Sequence, residues 1–80
     1  MKQQADIAMI QLGDETRMTC VGCADILERA GLLLVERAFT FGYENIRIKV
    51  YSVAPAHTIE ECEGLAAPYH ITGDCNPLNL

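Results

Sequence analysis

The sequence predicts an α+β domain: a small, mainly antiparallel sheet with one main helix and one short helix. Three segments carry that expectation. Ile46–Val53 alternates apolar and polar residues, the period of a half-buried strand. Residues 24–39 place apolar side chains at helical spacing. Thr58-Ile59-Glu60-Glu61 forms a capping box ahead of a second, shorter helical stretch.

Taken in order, residues 7–12 read as a first strand, Gly13-Asp14-Glu15 as a turn, and residues 16–19 as a short strand pairing back. The C-x-x-C of Cys20 and Cys23 then lies at the end of a hairpin. In the helical segment, Ile26, Leu27, Ala30, Leu33, Leu34 and Ala38 form the apolar face, and Asp25, Glu28, Arg29 and Glu36 the polar one. Gly31 leaves two options. Inside one long helix it costs about 1 kcal/mol relative to alanine. As a stop, it would release residues 32–41 as a strand. The spacing favours helix through at least Leu34.

Gly42-Tyr43-Glu44-Asn45 is turn chemistry. In Ile46–Val53, Ile46, Ile48 and Val50 share one face, and Arg47, Lys49 and Tyr51 the other. This strand is expected to be central, with Ile48 buried and Tyr51 exposed beside its charged neighbours. Pro55 ends it. The short helix spans residues 59–67 and stops before Pro68, residues 69–72 can add a strand, and turn and tail follow.

Eighty residues make a single domain, 1–80. A chain this short buries only about 60% of its unfolded surface, so a metal, a disulfide or a partner often helps. Half the residues are hydrophobic, which argues against global disorder. Six basic and eleven acidic residues give a net charge of −5, which argues against direct nucleic-acid binding and suits a basic protein partner. No secretory signal and no membrane-spanning apolar run is visible, so a cytoplasmic location is expected. Cysteines there are kept reduced, which favours metal or redox chemistry over structural disulfides.

Four cysteines and two histidines supply the candidate metal ligands. Cys20 and Cys23 can grip one tetrahedral zinc ion, with Gly22 easing the turn. The second half of the site would come from His57 with Cys62, from His70 with Cys75, or from Cys62 with Cys75. Alternatively, Cys20 at a helix N-terminus would be an activated thiol of a redox pair.

Met18-Thr19-Cys20-Val21-Gly22-Cys23 resembles the M-T-C-x-x-C loop of heavy-metal-associated domains, the copper(I) carriers. The resemblance covers six residues of eighty. It implies a βαββαβ fold and a soft monovalent metal held by Cys20 and Cys23. Arg17 stands where that family usually has glycine.

Glu60, Glu61 and Glu63 cluster at a helix start and would meet a basic partner, and Tyr51 would add an exposed aromatic contact. Tyr43, Tyr69, Phe39 and Phe41 are further aromatic candidates for an interface. No phosphate loop, nucleophile elbow or other catalytic constellation appears. The chain is therefore expected to be non-enzymatic: a small acidic module occupying a larger, nucleic-acid-handling protein as an inhibitor or adaptor. In size and charge it resembles small phage-encoded inhibitors such as anti-CRISPR proteins. The competing class is a copper or zinc carrier, or a thiol redox protein, acting through Cys20 and Cys23.

Overall fold

A computed structural model describes residues 5–71, which form four strands and two helices. The order is β1 (Ala5–Leu12), β2 (Glu15–Thr19), α1 (Val21–Arg29), β3 (Leu33–Phe41), β4 (Ile46–Val53) and α2 (Ile59–Ala66), closed by a 3-10 turn, Ala67–Ile71. The sheet order is β2-β1-β4-β3. Both outer pairs are antiparallel and the central pair, β1 with β4, is parallel. The α+β class and the mainly antiparallel sheet stand, and β4 is a central strand.

Leu12 pairs with Glu15 across Gly13 and Asp14, so β1 and β2 form a tight hairpin. Gly13 supplies the positive φ, +59°, that suits the hairpin twist. Two hairpin strands precede the first helix, so the chain does not follow the βαββαβ order implied by its copper-carrier-like loop.

The main helix is shorter than its spacing suggests. α1 ends at Arg29, and the chain reverses through Gly31 at φ +83°. The Gly31 amide donates to the Glu28 carbonyl and the Leu32 amide to the Leu27 carbonyl, both at 2.9 Å. These are the two bonds of a Schellman motif, with glycine at the left-handed position. Beyond it, Leu33–Phe41 is a strand, contrary to the expected helix through Leu34. Leu33 is fully buried and Leu34 is 56% exposed, which is the alternation of a strand.

One face of the sheet carries the helices. Ala8, Ile10, Leu33, Tyr51 and Val53 pack there against Cys23, Ala24 and Leu27 of α1 and Ile59, Cys62 and Ala66 of α2. Tyr51 is fully buried, which corrects its expected exposure and its place among the partner-binding residues. Its hydroxyl donates to an Asp25 carboxylate oxygen on α1 at 2.9 Å. Ile48, on the other face, is only half-buried. Alternation correctly sorted the two faces of β4, but the face with the charges is the one the helices cover. Arg47 satisfies its charge there by a two-bond pair with Asp6, at 2.8 and 3.1 Å.

Thr58 caps α2, its Oγ accepting from the Glu61 amide at 3.1 Å. The expected strand after Pro68 is instead the 3-10 turn, and Thr72 lies outside the described residues. Among the described residues no helix is long and apolar enough to cross a membrane.

Candidate functional site

The hairpin β1–β2 delivers Cys20 to the start of α1, where it serves as the N-cap. Its Sγ accepts from the Cys23 amide at 3.1 Å. One helical turn then brings Cys23 back, and the two sulfurs lie within disulfide distance. Both cysteines are almost fully buried, at 2% and 1% exposure. A carrier loop or an attacking thiol needs a sulfur that an incoming metal or disulfide can reach. Here the pair points into the core.

Among the described residues, His57 and Cys62 do not complete a metal site with it. Cys62 is fully buried on the inner face of α2. Burial pushes its thiol pKa up, and the Glu61 charge adds to that effect, so it holds its proton at neutral pH. His57 lies on the surface, with Nδ1 3.4 Å from a Glu61 oxygen. His57 and Cys62 thus belong to different environments, one facing solvent and one the core. The side chain of His70 and all of Cys75 lie outside the described residues. Among the described residues no group of three or more histidine, cysteine or acidic side chains is arranged to hold a metal ion. The geometry fits a buried pair that closes the first turn of α1 directly after β2.

Their positions make the two cysteines unequal, one a cap and one inside the helix. In reductant, Cys20→Ser keeps an acceptor at an N-cap, where serine is preferred. Cys23→Ser instead places a hydroxyl in an apolar core, at a cost of about 1–3 kcal/mol. Urea unfolding should rank Cys23→Ser clearly below Cys20→Ser. Equal losses would remove the cap from the explanation.

The acidic cluster is also divided by the structure. Glu63 meets Arg17 of β2 at 3.2 Å, and Arg17 also approaches Glu15 at 3.4 Å. Glu61 lies against His57 and the Thr58 hydroxyl. Glu60 is exposed. The helix start thus spends much of its acidity on its own neighbours.

The more extensive surface feature is the sheet face away from the helices. Register places Ile7, Met9, Met18, Ile46, Ile48, Val50, Phe39 and Phe41 on it together. Met18 and Phe41 are each 50% exposed and Phe39 is 42% exposed. Val50 is buried by its strand neighbours, outside the helix-side core. The Phe39 and Phe41 rings meet edge to face, with centroids 5.7 Å apart. Towards the β1–β2 turn the same face becomes polar, with Gln11, Thr16 and Ser52, whose hydroxyl donates to Glu36. Asp14 and Glu44 sit in the turns at its two ends.

The sequence singled out Phe39 and Phe41 as aromatic candidates but did not assemble this face. The signal was present in the i, i+2 spacing of Phe39 with Phe41 and of Ile46 with Ile48. Carrying the helix through Leu34, rather than starting a strand at Leu33, hid it. Comparison with protein-family models, curated proteins and solved structures finds no match.

Proposed function

We propose that this chain is a non-enzymatic, protein-binding module that docks the open face of its sheet onto a larger protein, as an inhibitor or adaptor. The observation that carries this is the contiguous apolar face of Ile7, Met9, Met18, Ile46, Ile48, Phe39 and Phe41, which no helix among the described residues covers. An exposed apolar patch edged by polar groups is the usual anatomy of a protein-binding surface. Acidic residues dominate its margins, through Asp14, Glu36 and Glu44, with Arg37 as the opposing charge. Such a rim matches a partner whose own apolar site is edged with lysine or arginine. A nucleic-acid-handling protein has that chemistry, and the net charge of −5 favours approach to it. The size and charge of phage-encoded inhibitors, anti-CRISPR proteins included, agree with this reading, as does work in the cytoplasm. Glu60 and Glu61 would speed the encounter rather than hold the complex.

Met18→Asp/Phe41→Asp tests the face with little risk to the fold, because both side chains are half-exposed. Capture from a native lysate should recover a defined partner with the parent chain, and the double variant should weaken that complex at least about 100-fold, the loss of two interface anchors. Glu60→Lys/Glu61→Lys should slow association several-fold at low salt and leave dissociation unchanged. Undiminished capture by a folded Met18→Asp/Phe41→Asp variant would overturn the proposal. Stoichiometric zinc or copper in native mass spectrometry, lost on replacing Cys20 and Cys23, would favour the carrier reading instead.

A further inference from the structure

The two edges of the sheet are unlike. β2 is short and carries Glu15 and Arg17, which discourage another strand from pairing with it. β3 has nine residues, and every one after Leu33 is exposed. Its register shifts between Val35 and Arg37, so a bulge carrying Glu36 interrupts its first half. From Ala38 to the turn at Gly42 the edge reads Ala38-Phe39-Thr40-Phe41, with no charge, proline or bulge. Ala38 and Thr40 point to the helix side of the sheet and are exposed as well, so the helices do not cover this stretch.

We infer that the β3 edge is a self-pairing site, at which a second copy of this chain adds antiparallel about a two-fold axis at Phe39. Bulge and turn leave residues 37–41 as the pairing segment, and Phe39 is its midpoint. A two-fold there sets Phe39 against Phe39 of the partner copy. It also sets Arg37 against Phe41 and Ala38 against Thr40, each pair twice. Phe39, Phe41 and Arg37 share the open face, so two rings meet at the axis and each guanidinium lies beside a ring. No pair sets like charges opposite one another. A register centred one residue earlier would oppose Glu36 to Thr40 and draw the bulge into the ladder. The interface is isologous, as a closed dimer requires. It joins two four-stranded sheets into one of eight strands and makes their open apolar faces continuous. Five paired residues bury less than the roughly 1,200 Å² of a standard interface, so the dimer is a weak, concentration-dependent one. The inference does not depend on the docking partner proposed above.

Sedimentation velocity of the full chain, from about 5 to 200 µM in about 0.15 M salt, tests it. At that ionic strength, screening over about 8 Å limits the influence of net charge. The parent chain should shift with concentration from 8.8 kDa towards twice that mass. Ala38→Glu/Thr40→Glu opposes glutamates across the axis and should weaken the dimer at least about 10-fold. Within one chain these glutamates sit beside Lys49 and Arg47, so the fold is kept. Ala38→Glu/Thr40→Lys opposes unlike charges and should restore association. A parent chain that stays monomeric throughout would overturn the inference. So would undiminished dimerisation of the double glutamate variant, or failure of the glutamate–lysine pair to restore it. Met18→Asp/Phe41→Asp should still dimerise, because Asp at position 41 faces Arg37, which separates this site from the docking face.

Discussion

Leu33→Asp should leave the chain unfolded, while Leu34→Asp should leave it folded and nearly as stable as the parent. The two leucines are adjacent in sequence and opposite in environment. Leu33 is fully buried and packs with Leu27 of α1 and Val53 of β4 in the helix-side core. A carboxylate there loses its hydration without gaining a cation, and also forfeits the leucine's packing, about 2–5 kcal/mol by itself. Small domains have only about 5–15 kcal/mol in total, and one of 80 residues lies near the bottom of that range. Leu34 lies on the open face, half in solvent, and its substitution should change stability by less than about 1 kcal/mol. Far-ultraviolet circular dichroism and urea unfolding of both variants decide this. Two equal, moderate losses would mean that residues 33 and 34 are not on opposite faces of a strand.

This pair also shows where the sequence stops informing. Ile46–Val53 was legible to the residue because alternation over eight positions has no helical counterpart. The Thr58 cap was legible because its chemistry is local. Residues 32–34 were not, because three consecutive leucines satisfy a 3.6-residue and a 2-residue period equally well. The deciding fact was the left-handed φ of Gly31, which residue type permits but does not impose. The face of β4 that the helices cover was hidden for a different reason. Periodicity sorts residues into two faces, and only the placement of α1 and α2 says which is inner. The C-x-x-C was conspicuous, but its burial depends on how α1 lies on the sheet. The open face required the pairing of all four strands, because no single strand contributes more than three of its apolar residues.

Tyr51 gives the second large expected effect, and it separates packing from hydrogen bonding. Its ring is fully buried on a central strand, opposite Ile10 in the register of β1. Tyr51→Ala should cost about 3–5 kcal/mol, as for other buried aromatics cut to alanine. Tyr51→Phe keeps the ring and removes only the bond to Asp25, at about 1–2 kcal/mol. The pH dependence follows from the same geometry. Burial raises the Tyr51 pKa far above its ordinary value of 10, and the bond to Asp25 and the charges of Asp25 and Glu28 push the same way. Above pH 10 the unfolded tyrosine loses its proton while the folded one keeps it. The unfolded state then binds fewer protons, so stability falls as pH rises. Below that pH the contribution of Tyr51 is fully present and flat. Cys62 acts in the same direction from its own ordinary value of 9, because burial raises it as well. Urea unfolding from pH 8 to 11 should therefore show a decline for the parent chain that begins with Cys62 and steepens with Tyr51. Tyr51→Phe should retain the first part and lose the second. A variant that declines as steeply as the parent above pH 10 would show that the Tyr51 hydroxyl is not held protonated against α1.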